Sequence, residues 1–224
     1  ATGRTEARRG VALAVLSQTG ARAIMQTAST YQPLSTPALV GHDGDAQALL
    51  AWSALALYWV WTVAGCLDFA CHRATNLPAT SGVAESKLHL VQLALCGAGA
   101  VMWMALEPTA GLASLLAVIV LVHAWAGYRD TRAAFRAGRT ITPAEQHLHS
   151  VLDVAPWVAL AATAWIAWRA PATQWSLTFR EAPLSPATWT MVLVPALVLC
   201  VAPALLEFRN AWRVAHRRRD AGSA

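Results

Sequence analysis

The chain has 224 residues, of which 17 are basic, 12 are acidic and 56% are hydrophobic. A chain this apolar cannot remain disordered, and four cysteines without a CxxC pair exclude a small disulfide-stapled protein. Charged residues make up 13% of the sequence, against about 25% in an ordinary soluble domain.

The first 47 residues are interpreted as an N-terminal arm. Residues 5–27 are predicted to form a surface amphipathic helix or a partner-binding segment, and residues 28–46, with their prolines and glycines, a loop. The apolar run VALAVL in this arm is too short to cross a bilayer. We therefore expect the arm to contact other membrane subunits rather than to span the membrane.

Five apolar runs follow, each of about 18–20 residues and long enough to cross a hydrocarbon core of about 30 Å. They cover residues 48–67, 88–106, 110–128, 151–168 and 187–206. The tight connection Glu107-Pro108-Thr109 makes the second and third runs antiparallel neighbours. The sequence thus predicts an all-α integral membrane protein with about five transmembrane helices in residues 48–206, followed by a basic tail, residues 207–224.

Basic residues are unevenly distributed between the connections. Eleven lie in residues 68–87, 129–150 and 207–224, which five spans place on one side of the membrane. The positive-inside rule makes this side cytoplasmic and puts the N-terminus outside, as in a bacterial inner membrane. Because topology explains the basic excess, we expect no nucleic-acid partner, and we assign Arg132, Arg136 and Arg139 to lipid headgroups of the bilayer.

Histidines and carboxylates recur at the predicted cytoplasmic ends of the first four spans. Several are paired at a spacing of four, which places both members on one helix face. Ionisable groups at the edge of a span are costly and are functional candidates by default. We predict a four-helix bundle with a His/carboxylate metal cluster at this face, formed by Asp68, His72, Glu85, His89, His123, Asp130, His149 and Asp153.

Glu145 is predicted as a catalytic carboxylate in the same cluster. A structural alternative exists, because Thr142-Pro143-Ala144-Glu145 has the pattern of a capping box that starts a helix. His147 is two residues from His149 and is expected to face away from it.

The patterns DxxxH, ExxxH and ExxxHxxxD at one end of a membrane bundle resemble the integral-membrane di-iron desaturases and hydroxylases, over residues 68–153. That class carries HxxxH and HxxHH boxes, so the present set is richer in carboxylate, as in soluble di-iron bundles. The resemblance implies two iron ions, oxygen-dependent attack on a C–H bond of a lipid-like substrate, and a separate electron-donor protein. It also implies ligand roles for the four histidines His72, His89, His123 and His149, with the acids as ligands or bridges.

Two alternatives remain open. Ser86 with Asp68, His72 and His149 is similar to the site of alkaline ceramidases, which implies one zinc ion and hydrolysis of an amide or ester. A non-catalytic subunit of a larger membrane complex could instead hold a haem or pigment between His89 and His123.

Overall fold

The computed structural model of the chain describes residues 40–169 and 175–222, with side chains from Trp52 to Ala221. The chain divides into the units Ala1–Trp52 and Ser53–Ala224, and the features below belong to the second. The helix expected over residues 5–27 lies outside the described residues. The loop expected over residues 28–46 is corrected in part, because residues 40–46 are already helical.

Six α-helices account for most of the described chain. The connections contain a 3₁₀ turn, Leu77–Ala79, and a π-helical turn, Leu197–Val201. The described ranges hold no strand, only an isolated bridge between Leu106 and Phe179. The helices are α1 (Val40–Ala74), α2 (Gly82–Ala105), α3 (Ala110–Arg136), α4 (Pro143–Arg169), α5 (Pro186–Ala196) and α6 (Ala202–Gly222).

Five helical stretches are long and apolar enough to cross a membrane, which confirms the prediction at this level. They are Trp52–Ala74, Gly82–Ala105, Ala110–Arg136, Pro143–Arg169 and Pro186–Ala221, the last formed by α5, the π turn and α6. Each is longer than its predicted apolar run, because the helix continues into polar sequence. Helix α4 starts eight residues before the predicted span, and α6 runs through the predicted boundary between residues 206 and 207.

Apolar and polar side chains are distributed as expected for a protein surrounded by lipid. Large apolar side chains cover the outer surface, with Trp168 83% and Val118 57% exposed. The buried positions hold apolar residues such as Leu77 and Leu112 and also carboxylates, imidazoles and hydroxyls, among them Glu85 and Glu145, both 0% exposed. Polar groups inside spans are expected to face the bundle interior, because lipid offers them no hydrogen bonds.

The fifth span contains an irregular turn between two prolines. Neither Pro195 nor Pro203 has a backbone N–H to donate, and the π turn Leu197–Val201 lies between them. Cys200 of this turn is buried against α1, where its Sγ lies 3.5 Å from the carbonyl oxygen of Thr62. The turn therefore joins α5 and α6 while keeping contact with α1.

The connection between α2 and α3 is fastened by the segment before α5. The backbone N–H of Glu107 donates to Thr178 O at 2.9 Å, and that of Arg180 donates to Ala105 O at 3.0 Å. The Arg180 guanidinium also donates to the carbonyl oxygens of Trp103 and Met104, which end α2. These bonds satisfy backbone groups that a helix terminus leaves without partners.

Gly111 allows this segment to approach α3. A Cβ at this position would lie 2.3 Å from the carbonyl oxygen of Trp175, which is backbone and cannot rotate away. We expect Gly111→Ala to destabilise the protein by about 1–3 kcal/mol, as overpacking does. Thermal unfolding in detergent measures the effect. Gly97→Ala is the matched control, because nothing lies within 4 Å of its added Cβ; equal midpoints for the two variants would contradict the prediction.

Candidate metal site

Two stacked imidazoles share one carboxylate at the centre of the site. The rings of His72, on α1, and His89, on α2, are 4.5 Å apart at an interplanar angle of 8°. Glu207, on α6, lies between their Nδ1 atoms, with Oε2 at 2.8 Å from His72 and Oε1 at 2.8 Å from His89. An ionised carboxylate only accepts hydrogen bonds, so each Nδ1 carries a proton and each Nε2 points away from Glu207.

The first donor group consists of Asp68, His72, Glu145 and His149. His72 Nε2 is 3.2 Å from Asp68 Oδ2 and 3.5 Å from Glu145 Oε1. The other oxygen of Asp68, Oδ1, is 3.2 Å from His149 Nε2. One ligand atom from each of the four residues lies within 4.8 Å of the others, so one metal ion could bind all four.

The second donor group consists of Glu85, His89 and Asp130. His89 Nε2 lies 3.2 Å from Asp130 Oδ1, and all three residues are buried. Their ligand atoms also lie within 4.8 Å of one another. The helical spacing of four places Glu85 and His89 on one face of α2, as the sequence predicted.

Several of the facing atoms have no hydrogen-bond partner although they are fully buried. They are Asp68 Oδ1 and His72 Nε2 in the first donor group, and His89 Nε2 and Asp130 Oδ1 in the second. Buried polar atoms are nearly always hydrogen-bonded, since leaving one unpaired costs about 1–3 kcal/mol. An unprotonated Nε2 and a carboxylate oxygen repel each other at 3.2 Å unless a cation lies between them.

Glu145 forms the capping box that the sequence offered as an alternative, and it also belongs to the first donor group. Its backbone N–H donates to Thr142 Oγ1 at 3.2 Å, and its Oε2 accepts from the Thr142 N–H at 3.4 Å, which confirms the capping box. Its other oxygen, Oε1, faces His72. The cap therefore fixes the carboxylate in the site, while a catalytic role for Glu145 stays a prediction.

The assignment of Arg139 to lipid headgroups is wrong. Arg139 is 4% exposed, and its guanidinium binds Glu85 through Nε at 3.1 Å and through Nη2. Nη2 also lies 2.7 Å from Glu145 Oε1, and Nη1 donates to Thr75 Oγ1 at 2.9 Å. Burial alone would lower the pKa of Arg139, but the hydrogen bond that it donates to Glu145 and the charge of Glu85 raise it, so the guanidinium stays charged.

The error has a local cause. Arg132 and Arg136 are on α3 and exposed, and a continued helix would have placed Arg139 on the same stripe. Gly138, at φ +67°, ends the helix instead, and the Arg139 N–H donates to Ala134 O at 3.0 Å. This left-handed helix end turns the chain inward.

His123 and Asp153, both predicted ligands, lie outside the two donor groups. His123 is buried, whereas Asp153 is exposed, and both line a cavity beside Asp130 and His149. Glu207 was missed by the sequence analysis because it has no histidine four residues away. Its position directly after the apolar run of the fifth span was the available signal.

No match was found when the chain was compared with protein-family models, with curated proteins and with solved structures. The comparisons therefore add nothing to the argument for function. The geometry of the donor groups and the charges buried around them are the features that indicate a function.

Arg139 is expected to be essential for stability. Arg139→Ala leaves Glu85 and Glu145 buried without their cation, which costs about 3–5 kcal/mol when a buried pair is broken. Arg136→Ala, at an exposed position three residues earlier, is the control and should change little. Thermal unfolding of both variants in detergent tests the difference. A midpoint for Arg139→Ala within error of Arg136→Ala would refute the assigned role.

Proposed function

We propose that the protein is a membrane metalloenzyme that binds two metal ions, one in each donor group. The observation that carries the proposal is the pair of buried, unpartnered His Nε2 atoms, each facing a carboxylate oxygen at 3.2 Å. Glu207 supports it, because a carboxylate on the far nitrogen is the usual partner of a metal-binding histidine. In this proposal Glu207 orients two ligands at once.

Charge balance gives independent support. Within the described part of the chain, the buried charged side chains are one arginine, Arg139, and five carboxylates: Asp68, Glu85, Asp130, Glu145 and Glu207. With neutral imidazoles the site has four uncompensated negative charges. Two divalent cations would neutralise them, whereas isolated buried charges cost several kcal/mol each.

Protons are a poorer solution to the same imbalance. Protonating the three imidazoles of the donor groups would still leave one negative charge. It would also make His72 and His89 imidazolium ions whose ring centres are 4.5 Å apart. Their repulsion is about 4 kcal/mol at an effective dielectric constant of ~20.

The donor atoms favour iron among the metals. Both groups offer only imidazole nitrogen and carboxylate oxygen, and more carboxylates than imidazoles surround the second position. This mixture on helices is the ligand set of soluble di-iron bundles. Bound iron would supply dioxygen activation, and the proposed substrate is lipid-like.

The proposed reaction puts one oxygen atom into a C–H bond and releases the other as water. It consumes two electrons and two protons, and the electrons require a separate donor protein.

A zinc-dependent hydrolase is a second candidate, favoured by Ser86. This residue is 0% exposed, its Oγ has no hydrogen-bond partner, and it lies one helical turn before His89.

Haem between His89 and His123 is disfavoured, because His89 Nε2 already faces Asp130 at 3.2 Å and its Nδ1 faces Glu207.

We also propose that the donor groups lie at the cytoplasmic end of a helix bundle. The α3–α4 connection, which carries Arg139, and the arginine-rich end of α6 support this orientation under the positive-inside rule. A bacterial inner membrane and subunit contacts through the N-terminal arm remain part of the proposal.

Metal content is the direct test of two positions. Protein purified in mild detergent after growth with iron should contain about two iron ions per chain. His149→Ala removes a donor from the first group and Asp130→Asn one from the second, so each variant should retain about one. His147→Ala, exposed on the same helix as His149, is the control and should retain two. Wild-type protein with less than one metal ion per chain would contradict the proposal. Bound zinc in place of iron would favour the hydrolase.

Glu207→Gln tests the shared carboxylate separately. An amide offers one acceptor oxygen, so it cannot accept from both Nδ1 atoms, and metal affinity should fall by about 10–100-fold. Competition with a chromogenic chelator measures the affinity. Glu181→Gln, on an exposed segment away from the donor groups, should bind metal as tightly as wild type. If Glu207→Gln behaved the same way, Glu207 would have no orienting role.

A further inference from the structure

A small cavity lies beside the second donor group. Its volume is about 70 Å³, and its walls come from α1, α2, α3, α4 and the π turn. His89 and Asp130 of the second donor group and Asp68 and His149 of the first form one part of the wall, and Gln92, His123 and Asp153 form another. A liquid water molecule occupies about 30 Å³, so the cavity suits a ligand of a few atoms.

Two glycines keep the cavity from being filled by side chains. A Cβ at Gly127 would lie 3.2 Å from Asp153 Oδ1 and 3.5 Å from Gln92 Oε1. A Cβ at Gly65 would lie 3.1 Å from Cys200 Sγ. Any side chain larger than a methyl group at Gly127 would therefore occupy the space between Gln92 and Asp153.

The polar wall includes an imidazole, that of His123, which forms no hydrogen bond with the described part of the protein. His123 is 5% exposed, and within residues 52–169 and 175–221 no group donates a hydrogen bond to its imidazole or accepts one from it. Asp153 lines the cavity and is also exposed, so the cavity reaches the surface there. The cavity thus connects the surface at Asp153 with Asp130, and Gln92 and His123 also line it.

The two metal positions differ in the number of donors that remain free. The first group offers four residues. The second offers three, and Arg139 binds one carboxylate of each group, Glu145 in the first and Glu85 in the second, which leaves three donors in the first and two in the second. A metal ion in the second group would therefore keep open coordination positions, which is the arrangement of a reactive rather than a structural metal.

We propose that this cavity admits and holds a small ligand of the size of dioxygen at the second metal position, with Gln92 and His123 as the groups that orient it. The inference rests on the proposed function. It also assigns the two reactants to different places. The dioxygen-sized ligand enters beside Asp153, and most of a lipid-like substrate must remain outside this cavity, against the apolar outer surface.

Nitric oxide binding to the iron(II)-loaded protein tests the inference, because this diatomic probe gives an electron paramagnetic resonance signal on iron(II). Gly127→Val should keep the metal content of wild type but bind nitric oxide at least about tenfold more slowly, since a packed interior leaves no second route. Gly97→Val, on α2 where nothing lies within 4 Å of the added Cβ, should bind like wild type.

Each outcome separates the two proposals. A Gly127→Val protein with full metal content and wild-type nitric oxide kinetics overturns the cavity assignment and leaves the metal proposal standing. Wild-type protein with less than one metal ion per chain overturns the proposed function itself. If Gly127→Val does not fold, Gly127→Ala decides, because its Cβ meets only flexible side-chain atoms. A rate between wild type and full block supports the cavity, and an unchanged rate overturns it.

Discussion

Negative charge buried among long apolar helices is the constraint on which the rest of this structure depends. Glu85 and Glu145 reach neutrality in part through Arg139, and Glu207 is bound by two imidazoles. These contacts join α1, α2, α4, α6 and the α3–α4 connection at one end. Because lipid gives little incentive for apolar helices to associate, polar contacts of this kind carry much of the specificity of packing.

Backbone features at the helix ends bring the charged side chains together. The capping box at Thr142 aims Glu145 inward, and the left-handed Gly138 turns Arg139 toward it. Asn76, at φ 54°, helps reverse the chain between α1 and α2, so that His72 and His89 come face to face. Such local features are worth about 1 kcal/mol each, yet they determine which charged groups share a site.

Periodicity and hydropathy were sufficient to predict the helices and the paired residues within each of them. Glu85 and His89, four apart, share a face because helix geometry requires it. Contacts between helices were harder to predict from the sequence. The spacing of His123 and Asp153 resembled that of the other candidates, but these two lie outside the donor groups, on the wall of the cavity. The contacts of Glu207 and Arg139 could not be predicted from sequence spacing, because their partners are distant in sequence. The direction of each side chain also depends on how a helix turns or ends.

The π turn in the fifth span determines which face of α6 is turned toward the other helices. One extra residue in a helical turn rotates the downstream helix by about 100° relative to an uninterrupted α-helix. Glu207 lies six residues beyond Val201 on α6, so the direction of its side chain depends on that rotation. A regular helix from Pro186 onward would present a different face of α6 to the bundle. The turn thus acts as a register shift that brings a carboxylate, rather than an apolar side chain, to the two imidazoles.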